Sequence, residues 1–194
     1  MSIAGVILAG GQATRMGGGD KCLLPLGGAP MLERIIARLA PQVDALALNA
    51  NGDAARFERF GLPVVSDSVE GFAGPLAGVL AGLDWAAGEG HEAIVTAAGD
   101  TPFFPRDLAA RLCETAEGMV HPLALAATPD GRQPTFGLWP VALRDDLRAA
   151  LQSGLRKVVM WTDTHRGRMA EFPDSGAFFN VNTPEDLATA EAML

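Results

Sequence analysis

Apolar positions along this chain fall into short unbroken runs that alternate with stretches of helical spacing. Ile3 to Leu8, Ala45 to Ala50, Leu62 to Val65 and Ala93 to Ala98 are largely apolar and bounded by polar or glycine-rich turns, the pattern of strands buried on both faces. Between them Leu32, Ile35, Ile36 and Leu39 recur at i, i+3, i+4 and i+7, and Leu76, Val79, Leu80 and Leu83 likewise fall on one helical face. Pro30 and Pro75 stand where those helices can begin; Pro41 closes the first, and Gly88 and Gly90 close the second. Ala54 to Phe60 predicts a short helix stopped by Gly61, and Pro105 to Thr115 another with Leu108 and Leu112 inward. Strand, loop and helix in repetition argue for a parallel sheet.

The rhythm changes after that. Leu123 to Thr128 and Pro134 to Trp139 flank Pro129-Asp130-Gly131-Arg132, whose Asp-Gly pair suggests a hairpin or a long-looped strand pair. Val141 to Leu151 and Leu155 to Trp161 predict helices, and Met169 to Phe172 an edge strand. Ala177 to Val181 is expected to return to the sheet before Thr183-Pro184-Glu185-Asp186 caps the last helix. The pattern as a whole predicts an α/β fold with a mostly parallel mixed sheet flanked by helices, in a single domain spanning 1–194.

Composition narrows the function classes. The 194 residues are 48% hydrophobic, enough for a sizeable core, and carry a formal net charge of −8, which disfavours a nucleic-acid partner. No apolar run reaches the roughly 18 residues that cross a bilayer, and the first run has no basic flank or cleavage site. A cytoplasmic protein without a membrane partner is expected. The two cysteines, Cys22 and Cys113, lie outside any Cys-x-x-Cys spacing and are expected to be buried thiols. His91, His121 and His165 follow no zinc-ligand spacing.

Candidate chemistry concentrates in LAGGQATRMGGGDK, Leu8 to Lys21, directly after the first apolar run. Glycines let backbone amides turn into one hollow and let a ligand approach them closely. Arg15 and Lys21 supply cations beside it. The spacing is neither a Walker A loop, since Lys21 follows Asp20 and precedes Cys22, nor a Gly-x-Gly-x-x-Gly fingerprint. Gly10, Asn49, Asp67 and Asp100 each stand at or just past the end of a predicted strand, where loops of a parallel sheet gather. Asp100 is a candidate ligand for Mg²⁺ where it bridges phosphates, or else a turn aspartate. Asp67 could accept from the adjacent N1–H and N2–H₂ donors of guanine, a pair that cytosine does not present. Asn49 could touch base or ribose. Both residues also suit an Asx turn.

At these residues the chain resembles the molybdenum cofactor guanylyltransferases, within the nucleotidyltransferase superfamily and its Rossmann-like sheet. The resemblance rests on LAGG with RMGG and DK, on Asn49, on Asp67 to Leu83, on GDTPF (Gly99 to Phe103) and on NVNTPEDL (Asn180 to Leu187). The second glycine of LAGG and the NVNTPED segment point to the guanylyl rather than the cytidylyl branch.

The resemblance implies transfer of GMP from GTP to the terminal phosphate of molybdopterin, with Mg²⁺ as cofactor. It implies that Arg15, Lys21 and Asp100 act in catalysis, with Asp100 on the metal. It implies GTP contacts from Leu8, Ala9, Gly10, Gly11, Lys21, Asn49, Asp67 and Asp100. It further implies that QPTF (Gln133 to Phe136), GLRK (Gly154 to Lys157), Asn180 and Asn182 face the acceptor, with Arg156 and Lys157 offering charge to its phosphate; Asn180 or Asn182 is alternatively a metal ligand. The amino-terminal half would hold the nucleotide and the carboxyl-terminal half the acceptor. The chain is expected to be a monomer, with transient contacts to cofactor-synthesis proteins and molybdoenzyme chaperones. A cytidylyltransferase or a sugar nucleotidylyltransferase is the nearest alternative; a GTP-binding module lacks both a P-loop and an Asn-Lys-x-Asp motif.

Overall fold

A computed structural model describes residues 1–10, 19–69 and 74–194. Gly11 and Arg15, together with most of the glycine loop, lie outside the described residues, as does 70–73.

Strand β1 (Ile3–Leu8) runs inside a seven-stranded sheet, third from one edge. Its neighbours are β4 (Ala45–Asn49) and β6 (Ala93–Ala98), both parallel to it, and β5 (Val64–Val65) lies parallel beyond β4. With β7 at Ala124–Thr128, β8 at Gly131–Pro140 and β9 at Arg168–Glu171, the strand order is β5-β4-β1-β6-β8-β7-β9. Among the described strands of this sheet only β8 runs against the rest: it is antiparallel to β6 and β7, while β7 and β9 are parallel. The expected Asp-Gly hairpin is therefore the β7–β8 turn, with a register shift at Leu125/Ala126. A small antiparallel pair, β2 (Pro25–Leu26) and β3 (Ala29–Pro30), turns at Gly27-Gly28.

Strand side chains alternate between two helical layers, which is why the central runs are apolar throughout. Ile7, Leu48, Val95 and Leu138 pack with Leu32, Ile35 and Leu39 of α1 (Met31–Leu39) and Leu108 and Leu112 of α3 (Leu108–Thr115). Ala4, Val6, Ile94 and Trp139 face the other way, onto Leu76, Val79, Leu80 and Leu83 of α2 (Pro75–Gly88). That layer also takes Leu147 and Leu151 of α4 (Arg144–Gln152) and Val158 and Trp161 of α5 (Val158–Thr164). Helix α2 approaches the sheet so closely that a Cβ at Gly78 would collide with the Asn49 amide oxygen, and would come within 2.9 Å of Leu8 Cδ2.

Several local expectations are sharpened. Ala54–Phe60 is a 3₁₀ rather than an α-helix, and Gly61 ends it with φ 63°. The predicted helix from Val141 begins with a 3₁₀ turn, Val141–Leu143, and α5 starts at Val158 instead of Leu155. Helix α6 (Pro184–Ala192) has the expected start: Thr183 and Asp186 form a reciprocal capping box.

Two expectations fail. Ala177 to Val181 does not rejoin the sheet. Ser175–Phe178 is a 3₁₀ turn, and the described chain beyond it joins no strand; Val181 N–H instead donates at 2.8 Å to the carbonyl of Asp100, just past the carboxyl end of β6. Strand β9 already occupies the sheet edge, and Phe178 is drawn under it, edge-on to Phe136 at 5.0 Å and to Phe172 at 5.3 Å. Cys113 is only half-buried, on the flank of α3, whereas Cys22 is buried as expected.

A buried hydroxyl ties β8 to β6. Thr96 Oγ1 accepts from Trp139 Nε1 at 2.9 Å and from Gly137 N at 3.2 Å in a fully enclosed environment. Thr96→Val keeps the shape but strands the indole N–H, so it should cost about 1–3 kcal/mol of unfolding free energy, measured as a fall in urea midpoint at unchanged m-value.

Candidate active site

The four parallel strands end level with one another. Leu8 stands opposite Asn49 on one side and Ala98 on the other, and Asn49 opposite Val65. Their carboxyl ends therefore open into one crevice, where ligands of α/β sheets bind. A cavity of about 440 Å³ occupies it, lined by Leu8, Ala9, Gly10, Lys21, Asn49, Asn51, Asp67, Asp100 and Thr135 among others. Every candidate nucleotide contact within the described residues is in this lining.

On one flank, Asp67 is held by two amides. Asn49 Nδ2 donates to its Oδ1 at 2.9 Å and to the Val65 carbonyl at 3.1 Å, while Asn51 Nδ2 donates to its Oδ2 at 2.9 Å. Asn51 Oδ1 in turn accepts from the Asp67 backbone N–H at 2.9 Å. Each carboxylate oxygen keeps a lone pair for a further donor, so Asp67 is oriented without being saturated. Asn49 is buried, and the close approach of α2 at Gly78 fixes its other side.

On the opposite flank, Lys21 begins a 3₁₀ turn, Lys21–Leu23, after Asp20. Its Nζ donates to Asn182 Oδ1 at 2.6 Å and lies 3.6 Å from Asp100 Oδ2. The Asp100 carboxylate is a quarter exposed; its Oδ1 is 3.1 Å from Thr101 Oγ1, which also lies 2.5 Å from Asn180 Oδ1. The single hydroxyl proton serves one of these acceptors at a time. Asn182 and Thr183 backbone amides both donate to Asp186 at 2.9 Å, and these bonds, the first above all, hold its carboxyl below the usual range. The Cys22 thiol is pushed up to about 12, by burial first and then by the nearby Asp20 charge, which makes it inert as a nucleophile.

Asn180 and Asn182 thus meet Asp100 and Lys21 across the whole length of the chain. Arg156 and Lys157 do not line the cavity: both are exposed in the connection from α4 to α5, and Arg156 donates to the carbonyls of Leu151 and Leu155. Within QPTF, Thr135 lines the cavity, Gln133 donates to Thr128 Oγ1 at 3.2 Å, and Phe136 is buried in the core. Sequence reasoning passed over Asn51 and Thr101. Asn51 sits two residues after Asn49, a period-2 spacing that puts both on one side of the extended chain and was the available signal. Thr101 carried none.

Among the described residues no three His, Cys, Asp or Glu side chains cluster to hold a metal. No helix among them is long and apolar enough to cross a membrane.

Known proteins bear on this geometry. A molybdenum cofactor guanylyltransferase of Mesorhizobium japonicum is 52% identical over 99% of this chain and 96% of its own length. One from Cereibacter sphaeroides is 51% identical, covering 100% and 98%. Among solved structures, molybdopterin-guanine dinucleotide biosynthesis protein A of Archaeoglobus fulgidus superposes with a TM-score of 0.75 at 23% identity, over 98% of this chain and 97% of that one. The 2-C-methyl-D-erythritol 4-phosphate cytidylyltransferase of Thermus thermophilus gives 0.69 at 21%, over 100% and 98%; at such identities the likeness is one of fold. Residues 5–167 match the MobA-like NTP transferase domain, and with full-length relatives at half identity the chain belongs to that family of nucleotidyltransferases.

Proposed function

We propose that this chain transfers GMP from GTP to the terminal phosphate of molybdopterin, forming the guanine dinucleotide of the cofactor and releasing pyrophosphate. The observation that carries it is the convergence of Lys21, Asp100, Asn49 and Asp67 on one crevice, in a chain half identical to guanylyltransferases from end to end.

The acceptor phosphate attacks the α-phosphorus of GTP, the bond from that phosphorus to the bridging oxygen of the β-phosphate breaks, and pyrophosphate departs with the electron pair. At neutral pH the acceptor is already largely ionised, the second pKa of a monoester being about 6, so no protein nucleophile or base is required. The protein's work is charge cancellation and in-line alignment. Two unit charges 4 Å apart interact by about 4 kcal/mol at an effective dielectric of 20; one lysine cannot offset a triphosphate meeting another phosphate.

The donor set suits Mg²⁺, which is commonly held by one or two carboxylates together with substrate phosphates and water. Asp100 would hold it; the amide oxygens of Asn180 and Asn182, which contact Thr101 and Lys21 beside it, are the further ligands available. Bound there, the ion supplies positive charge to the phosphate oxygens. Lys21 sits across from Asp100 and exchanges its Asn182 bond for the leaving pyrophosphate. Leu8, Ala9 and Gly10, which line the cavity, would meet the phosphates; the same role is proposed for Gly11 and Arg15, which lie outside the described residues. Asp67, aimed by Asn49 and Asn51, accepts from guanine. Thr135, which lines the cavity, and Asn180 and Asn182, bonded to Thr101 and Lys21, would face the acceptor.

Incubation with molybdopterin and MgGTP or MgCTP, followed by mass analysis, decides the assignment: a guanine dinucleotide is expected, and a cytosine product would move the chain to the cytidylyl branch. Lys21→Ala should lower kcat/KM for GTP by about 10²–10³-fold, the usual loss for one electrostatic donor, with melting temperature nearly unchanged. Inosine triphosphate lacks the 2-amino group and should be used about ten-fold or more less efficiently than GTP, the value of one hydrogen bond to a charged acceptor. In Asp67→Asn that preference should shrink, read as the ratio of the two kcat/KM values.

A further inference from the structure

Arg56 does not line the cavity, yet its guanidinium is engaged on all three nitrogens. Nε donates to Asp20 Oδ2 at 2.5 Å and Nη2 to Asp20 Oδ1 at 3.3 Å. Nη2 also donates to the Asn51 carbonyl at 2.6 Å, and Nη1 to the Asp53 carbonyl. The group lies 4.6 Å from the centroid of the Phe57 ring, which is fully buried and so gives it a fixed platform.

What Arg56 joins is informative. Asp20 immediately precedes Lys21 and opens its 3₁₀ turn. Asn51 holds Asp67 through both ends of its own amide. A continuous series of contacts therefore runs from the turn bearing the phosphate-side cation, through the Asp20 carboxylate, the Arg56 guanidinium and the Asn51 backbone carbonyl and side-chain amide, to the base-side carboxylate. These two flanks come from segments 36 residues apart in sequence at the Arg56–Asp20 link. The same guanidinium also covers the charge of Asp20, a carboxylate only 17% exposed and adjacent to the place where a polyphosphate is to bind.

Resting on the nucleotidyl-transfer reading above, we propose that Arg56 is a positioning residue: it sets the separation between the Lys21 turn and the Asn51–Asp67 pair, so that the two ends of one guanine nucleotide engage both flanks at once. A planar fork is needed for this, because four acceptors in three directions are met together; an ammonium on a flexible stem offers the charge without the geometry. Holding two subsites in register converts binding of the second end of a ligand into an intramolecular event, whereas ligands that occupy one end gain nothing from it.

That asymmetry supplies the test. In the full chain, Arg56→Ala should weaken MgGTP binding by calorimetry, and raise KM in the transfer assay, by ten-fold or more, while guanosine binding followed by saturation-transfer NMR stays within two-fold of wild type. Arg56→Lys should recover little of the loss. Asp20→Asn combined with Arg56→Ala should be scarcely worse than Arg56→Ala alone, since both act through one link. If Arg56→Ala melts below the assay temperature, Arg56→Lys is read against the same criteria. GTP affinity within two-fold of wild type in both variants overturns the proposal, and so does a parallel loss of guanosine and GTP, the result of a merely collapsed loop. A wild-type protein that binds GTP but forms no dinucleotide would refute the transfer reading, and the binding comparison would still judge Arg56.

Discussion

Parallel strands whose last residues pair with one another open onto one rim, and the site of this protein depends on that constraint. With β5, β4, β1 and β6 hydrogen-bonded in level register, the residues that leave their carboxyl ends have no choice but to share one rim. Leu8, Asn49, Asp67 and Asp100 converge there without any of them being close in sequence. The antiparallel β8 adds Thr135 from the other direction, because it enters the sheet at the edge where its neighbours leave.

A chain with net charge −8 that handles polyphosphates must keep its own acids from repelling the substrate. The carboxylates described around the crevice each have a partner. Asp20 is held by Arg56, Asp100 faces Lys21, Asp67 accepts from two asparagine amides, and Asp186 caps α6. The arrangement leaves Asp67 and Asp100 as acceptors of limited, directed capacity. The carboxyl-terminal segment belongs to this electrostatic arrangement: Val181 N–H on the Asp100 carbonyl and Asn182 on Lys21 bind it to the rim of the crevice rather than to a strand.

Local patterns were legible where a single element determines them. Both-faces-buried strands such as Ile3–Leu8 and Ala93–Ala98 need unbroken small or apolar residues, and the stripe Leu32, Ile35, Leu39 can serve only a helix against a sheet. The capping box at Thr183 and Asp186 is likewise written in four consecutive residues. Ala177 to Val181 misled because its apolar character serves Phe178, which packs against Phe136 and Phe172, and not a strand face. Cys113 misled because one face of α3 is open to solvent, and a cysteine can lie at the margin of an apolar stripe.

The succession of most elements and the family could be read from the chain before it folds, since each depends on residues near one another or on motifs held in order. Which side chains meet belongs to the folded molecule: Lys21 with Asn182 across 161 residues, Asn51 with Asp67 across 16, and Arg56 with Asp20 across 36. Hydrogen-bond partners are chosen by the distance between chain segments in space, and only strand order and register fix that distance.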